Sequence, residues 1–149
     1  MAMTPTVLAA CLLAASHVYH VPPVVMIGIL HVEQGHIGQA VGNTNGTYDL
    51  GPMQINTTWM PTLARNWGVD QKTAYVWVRD NGCVNMYVSA WILRQGIDQS
   101  GGYLPEGIAR YHSATPQIGF PYLRRVITAM RQEGLIDYSS DTGEQLAER

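Results

Sequence analysis

The sequence predicts a mainly α-helical α+β domain with a small β-hairpin element next to one of its helices. The length of 149 residues suits one compact domain. Apolar residues recur at helical spacing through most of the chain, between recognisable capping residues. A polar, Gly-rich segment interrupts this pattern over residues 43–56, where Asn45-Gly46 and Gly51-Pro52 are turn signals. We therefore expect one domain over residues 1–138. Residues 139–149 lack core residues and are expected to form a disordered tail.

The predicted helices follow from their start and stop signals. The first runs from Pro5 to about Tyr19, with Thr4 as its N-cap, and the second from near Pro23 to Gln34 or Gly35. Later helices are expected over residues 57–67, 71–78 and 82–97, from residue 105, and over 121–132. Their caps are Asn56, Asp70, Asn81 and Gly134. The long helix over 82–97 should bury Val84, Val88, Trp91 and Ile92.

Composition excludes two classes of protein. Charged residues make up 13% of the chain and the net charge is −2, which argues against a nucleic-acid binder. No run of 18 or more apolar residues occurs, so we expect no membrane span. The apolar segment Val7–Ala15 has no Lys or Arg before it. We interpret it as the first helix and expect any export signal to have been removed before this start.

The segment His31–Asn56 holds the residues best suited to catalysis. Among the first 64 residues only Glu33 and Asp49 have charged side chains. Glu33 ends the apolar run VVMIGILHV, so it is either a solvated helix end or an acid against an apolar wall, where partial desolvation would raise its pKa. Amide side chains, which suit neutral, hydroxyl-rich ligands such as sugars, accompany it at Gln34, Gln39, Asn43, Asn45, Gln54 and Asn56.

The sequence HVEQGH resembles a zinc-protease motif only superficially. That motif needs two His four residues apart with a Glu beside the first, whereas His31 and His36 are five apart and Gly35 breaks the helix. We expect no metal and no cofactor. The two His are interpreted as hydrogen-bonded surface groups or minor contributors to a cleft.

Four motifs in order resemble one enzyme family. Glu33 is followed by Gly51-Pro52-Met53-Gln54-Ile55-Asn56, then by Asp80–Asn85 and by Tyr111-His112-Ser113, and Cys11 precedes them. Over roughly residues 6–131 the chain resembles the lytic transglycosylases of lysozyme-like fold, in the branch linked to conjugation and type IV secretion. It departs from the family pattern at Gln34, where Ser is usual, and at Pro52, where Leu is usual.

The resemblance implies an enzyme that cleaves the β-1,4 bond between N-acetylmuramic acid and N-acetylglucosamine. Glu33 would be both acid and base, with 1,6-anhydro-muramic acid as the product and no second carboxylate required. Predicted substrate-binding residues are Gly51, Met53, Gln54, Asn56, Tyr111 and His112. For Met53 and Tyr111 a position in the core is the alternative. His112 stands at the family's Asn position, so its role is less defined.

The same branch pairs the positions of Cys11 and Cys83, which implies a disulfide and an oxidising compartment, the periplasm. Two unrelated buried thiols are the alternative. In the chain-entropy model a link closing a loop of this length stabilises the fold by about 4 kcal/mol.

Expected partners are peptidoglycan glycan strands and proteins of a secretion or conjugation machinery, with the enzyme itself a monomer. Two alternatives remain: a hydrolytic muramidase that uses Asp49 to position water, and a non-catalytic wall-binding subunit. Asp49 would otherwise stabilise the hairpin after the Asn45-Gly46 turn. The late arginines would meet carboxylates of the wall or form a solvated helix face: Arg110, Arg124, Arg125 and Arg131.

Overall fold

The computed structural model of the protein describes residues 3–137. Within them the chain is mainly helical and contains a small antiparallel sheet, which confirms the predicted α+β class. The elements are α1 Pro5–Tyr19, α2 Pro23–Glu33, β1 Ala40–Gly42, β2 Tyr48–Leu50, β3 Ile55–Asn56, a 3₁₀ turn Thr57–Trp59, α3 Met60–Trp67, α4 Gln71–Asp80, α5 Gly82–Gln99, α6 Leu104–His112 and α7 Pro116–Gln132. The predicted tail, residues 139–149, lies outside the described residues.

The chain divides into two compact units. Among the described residues, the first comprises residues 3–12 together with Glu33–Ser89, and the second comprises Leu13–Val32 and residues 90–137. Helices α1, α2 and α5 contribute residues to both units. The single domain over residues 1–138 stays a prediction.

The sheet is larger than the predicted hairpin, because it starts at Ala40 and has β2 as its central strand. Leu50 pairs with Ala40 on one side and with Ile55 on the other. The predicted turn at Asn45-Gly46 is present, but it is not of type I′, because Gly46 has φ 85° while Asn45 stays at negative φ. The connection is instead a three-residue loop over 44–46, closed by the Gly46 N–H donating to Asn43 O.

Helix ends follow the predicted caps closely. The Thr4 hydroxyl accepts from the Val7 N–H at 3.3 Å, as expected for the N-cap of α1. Helix α2 stops at Glu33, short of the predicted end, because Gln34 adopts φ 54°. Helices α4 and α5 run two residues beyond their predicted ends.

The start of α7 was predicted wrongly. The helix begins at Pro116 and contains Pro121, which we had placed at its first position. Proline is favoured in the first turn of a helix, and both prolines suit that position. The helix begins at Pro116, so Pro121 lies inside it, where proline cannot donate a backbone hydrogen bond. The predicted stop is confirmed. Gly134 has φ 71°, and the Leu135 N–H donates to Met130 O at 2.9 Å.

Each unit has its own apolar core. Fully buried residues of the first unit include Leu50, Met53, Ile55, Val78 and Met86, and those of the second include Val25, Ile29, Ile108, Val126 and Met130. The predicted stripe of α5 is partly confirmed, since Val88 and Ile92 are buried and Val84 and Trp91 are half-buried. Across residues 3–137, no helix combines the length and the apolar character that crossing a bilayer requires.

Candidate active site

Glu33 is the last residue of α2 and is half-buried in the first unit. The chain then reverses through Gln34, in the left-handed region, into Gly35. The Gly35 N–H donates to Pro52 O at 3.2 Å, and a Cβ at Gly35 would overlap the Gly51 carbonyl and lie 2.5 Å from Gln54 Nε2. Only glycine permits this approach, which sets the end of the acid-bearing helix against the turn at residues 51–54.

The turn over residues 51–54 is built from two residues at positive φ, Gly51 at 67° and Gln54 at 52°. The Gly51 carbonyl accepts from the Gln54 backbone N–H at 3.1 Å and from its side-chain Nε2 at 2.9 Å. The amide of Gln54 is thus oriented by its own turn. Among residues 3–137 no donor is paired with its Oε1, so this oxygen can accept from a hydroxyl of a ligand.

The buried side-chain amide of Asn85 holds the turn over residues 51–54 from its core-facing side. Asn85 is completely buried, and its Nδ2 donates to Leu50 O and to Val78 O, both at 2.9 Å. Its Oδ1 accepts from the Met53 N–H at 2.9 Å. One side chain therefore joins β2, the turn and α4, with its hydrogen-bonding groups satisfied in the core.

Asn85 was not predicted as a site residue, although it belongs to the motif over Asp80–Asn85. The signal that could have revealed it is an amide within the apolar stretch of α5. A buried amide must find partners, and unpaired backbone groups of an irregular turn supply them.

Asn56 and Asp49 form a clamp across β2 and β3, where they are paired residues. Asn56 Nδ2 donates to Asp49 Oδ1 at 2.9 Å and to the Thr47 hydroxyl at 3.0 Å, while its Oδ1 accepts from the Thr58 N–H at 3.0 Å. These contacts favour the structural interpretation of Asp49. They also occupy both amide protons of Asn56, whose contact with a sugar stays a prediction.

Several of the other amides serve local turns. Gln39 Oε1 accepts from the His36 N–H at 3.1 Å. Asn45 Oδ1 accepts from the backbone and the hydroxyl of Thr47, and Asn43 Nδ2 donates to the same hydroxyl at 3.1 Å. Hydrogen bonding within the loops therefore accounts for part of the amide-rich composition of this segment.

Met53 is completely buried, so its burial favours the core alternative for that side chain. Tyr111 and His112 belong to the second unit, where both stack on Tyr122. The His112 and Tyr122 rings lie 4.7 Å apart at 12°, and the Tyr111 and Tyr122 rings 6.3 Å apart at 14°. Tyr111 is half-buried and His112 is exposed. Their roles toward a substrate stay predictions.

The disulfide prediction is confirmed. Cys11 and Cys83 are bonded within the first unit, with 5.2 Å between their Cα atoms. The bond joins α1 to the start of α5, within usual disulfide geometry for the Cα separation.

Charged groups near the site are paired at the end of α4. Arg79 donates to both carboxylate oxygens of Asp80, at 2.7 and 2.8 Å, and this hydrogen bonding lowers the pKa of Asp80. The Arg79 carbonyl accepts from the Gly38 N–H at 2.7 Å, which ties the loop after Glu33 to α4. In the second unit, His31 Nε2 lies 3.7 Å from Glu133 Oε1. Within residues 3–137 no three His, Cys, Asp or Glu side chains are grouped as they would be to hold a metal ion.

A scan of the chain against protein-family models finds no match, and a search of curated proteins finds no similar sequence. A family for this chain can therefore be argued only from its own motifs and geometry.

Proposed function

We propose that this protein is a peptidoglycan lytic transglycosylase in which Glu33 is both the general acid and the general base. The observation that carries the proposal is the packing of Gly35 on Pro52 and Gln54. It brings the backbone two residues after Glu33, the only acidic residue of α2, against the Gly-Pro-Met-Gln-Ile-Asn segment, which is one of the motifs that carry the resemblance to this family.

In the proposed reaction, the Glu33 carboxyl gives its proton to the glycosidic oxygen as the bond to the anomeric carbon breaks. The acetamido group of the muramic sugar assists at that carbon. The Glu33 carboxylate then removes the proton of the sugar's 6-hydroxyl, whose oxygen bonds to the anomeric carbon. Atoms balance without water, because one hydroxyl of the substrate replaces the leaving sugar.

The turn can contribute by orienting the sugar. Gln54 Oε1 is held by the bond that its own Nε2 donates to Gly51 O, so it is a fixed acceptor for a sugar hydroxyl. Asn85 stabilises the same turn from the core and is a positioning residue. Such fixed groups would hold a bound sugar in one orientation, which proton transfer to its glycosidic oxygen requires.

We place the enzyme in the periplasm, where it would open the wall locally for a secretion or conjugation apparatus. The Cys11–Cys83 bond supports an oxidising compartment. The link to secretion follows from the resemblance alone.

Mass analysis of products released from purified peptidoglycan tests the proposal. A transglycosylase releases 1,6-anhydro-muropeptides, whereas a muramidase releases products that are heavier by one water and end in reducing sugars. Reducing ends alone would contradict the proposal and favour a hydrolytic role with Asp49. That alternative is disfavoured by the bond that Asn56 donates to the Asp49 carboxylate. Wall binding without any release of muropeptides would indicate a non-catalytic subunit.

A further inference from the structure

A pair of tryptophans on α3 and α4 forms a surface that the proposed reaction does not use. The Trp67 and Trp77 ring centroids lie 5.7 Å apart with the rings tilted by 40°. Trp67 is half-buried, but Trp77 keeps 43% of its surface exposed. Both belong to the first unit. We call this surface, Trp67 and Trp77, the tryptophan face.

The tryptophan face is held rigidly. The Asp70 carboxylate caps α4 by accepting from the Thr73 N–H at 2.7 Å, and α3 ends in the left-handed Gly68. The Trp77 carbonyl accepts from the Asn81 N–H at 3.0 Å, which keeps the last turn of α4 regular. A ring fixed on its helix and against a second ring loses little conformational entropy when a ligand covers it.

The groups around the exposed ring are neutral or internally compensated. Thr73 lies one helical turn before Trp77, and its hydroxyl, which hydrogen-bonds to Asp70, can still accept a hydrogen bond. Asn81 follows the end of α4, and because its Oδ1 accepts from the Val84 N–H, its Nδ2 is the group that can donate to a ligand.

Arg79 and Asp80 neutralise each other at 2.7 Å, and the Arg79 guanidinium also lies 5.3 Å from the Tyr75 ring centre. Lys72 interacts with Asp70. Among the described residues of α3 and α4, Arg65, which bonds to Thr62, is therefore the one cation without a carboxylate partner. This charge balance does not suit a polyanion, which needs several uncompensated cations.

An exposed apolar ring flanked by neutral hydrogen-bonding groups matches a pyranose sugar, which has an apolar C–H face and equatorial polar substituents. We infer that the tryptophan face is a second glycan contact, which binds β-1,4-linked N-acetylamino sugar chains away from the turn that carries catalysis. The sugar class, but not the existence of the face, rests on the proposed function. Helix α4 links the two places, because the carbonyl of Val78, next to Trp77, accepts from Asn85.

Binding to a hexamer of N-acetylglucosamine and to insoluble peptidoglycan tests the inference. All variants are made in a Glu33→Gln background, so that cleavage does not remove the ligand. Tryptophan fluorescence and calorimetry give the affinity for the hexamer, and co-sedimentation gives the affinity for peptidoglycan. Trp77→Ala should weaken both by about tenfold or more, as loss of a tryptophan anchor commonly does.

Two further variants separate binding from folding. Trp77→Phe keeps an aromatic ring against Trp67 and should retain part of the affinity with an unchanged melting temperature. Phe120→Ala removes an aromatic side chain of similar exposure, 46%, from the second unit and should bind as the parent does.

The inference is overturned if Trp77→Ala binds both ligands as tightly as the parent, or if the parent binds neither. Failure of the proposed function is seen separately, in the products that the protein with native Glu33 releases. If Trp77→Ala loses binding and the protein with native Glu33 releases no anhydro products, the tryptophan face is supported as a glycan contact and the proposed transglycosylase activity is contradicted.

Discussion

In the first unit, buried polar side chains hydrogen-bond to irregular backbone segments and hold them in place. In the second unit, helices pack closely against each other at glycine residues. The side chain of Asn85 holds the turn over residues 51–54, and the Cys11–Cys83 bond joins two helices of the same unit. In the second unit a Cβ on Gly107 would lie 2.8 Å from the Ile97 Cα, and one on Gly28 would lie 2.7 Å from the Met130 side chain. The candidate site is therefore held by a few specific bonds, each of which we expect to have a large individual effect on stability.

Loss of the disulfide should have the largest effect on stability. Replacing Cys11 and Cys83 by Ser should reduce the free energy of unfolding by about 4 kcal/mol, because the unfolded chain regains the entropy of a long loop. Denaturant unfolding of the double variant and of the parent measures it. A change below about 1 kcal/mol would show that the disulfide does not hold the first unit together.

Asn85→Ala should have the second-largest effect on the free energy of unfolding. It leaves the Met53 N–H and the carbonyls of Leu50 and Val78 without their partner in the core, at a cost of roughly 3 kcal/mol in total. Peptidoglycan release should fall too, because the turn beside Glu33 loses its support.

Asn66→Ala, at an exposed position of α3, is the matched control and should stay within about 0.5 kcal/mol of the parent. Equal effects of the two substitutions would remove the central role that we give to Asn85.

In the second unit, Gly107→Ala should destabilise by about 2 kcal/mol, since the added methyl must push α6 from the Ile97 backbone of α5. Thr128→Ala, on the exposed side of α7, is the control and should be nearly neutral. Activity on a soluble substrate serves as a second measurement. If Gly107→Ala is as stable as the parent, close helix packing does not distinguish this unit.

The smallest effect is expected at the cap of α4. The Thr73 hydroxyl and the Thr73 N–H both hydrogen-bond to Asp70 and lower its pKa below the ordinary 3.8. A lowered folded-state pKa stabilises above the unfolded-state pKa, and this contribution is lost as pH falls through the folded-state value. Asp70→Ala should lower the melting temperature at neutral pH by roughly 2–4 °C, and this difference should shrink under acid.

Asp70→Asn is the matched control, because Asn also caps helices but does not titrate. It should melt close to the parent at pH 7. A difference between Asp70→Ala and the parent that persists unchanged at pH values far below the ordinary pKa of 3.8 would exclude this role of the carboxylate.

Much of the fold was predictable because its signals are local. The N-cap Thr4, the stop at Gly68 and the left-handed Gly134 each act within one turn of their own position. Choices between competing local signals were not predictable. Pro116 and Pro121 both suit a first turn, and the helix begins at the earlier one.

For the candidate site, the sequence groups the predicted residues along the chain but does not show which contacts each side chain makes. The sequence places Glu33, Gln54 and Asn56 in one segment. It does not show that the Asn56 amide donates both its hydrogen bonds to Asp49 and Thr47. Asn85 was not predicted as a site residue because its hydrogen-bond partners, Leu50 and Met53, lie far from it in the sequence. Such contacts depend on tertiary structure, which no local pattern encodes.

The central claim is that Glu33 transfers the proton. The most direct measurement compares Glu33→Gln with Asp49→Asn in the release of anhydro-muropeptides from peptidoglycan, with circular dichroism as the test of folding. Glu33→Gln keeps the side-chain volume and should lose at least ~10²-fold of the rate, while Asp49→Asn should keep most of it. A natively folded Glu33→Gln protein that still releases anhydro-muropeptides at the parental rate would show that Glu33 does not transfer the proton.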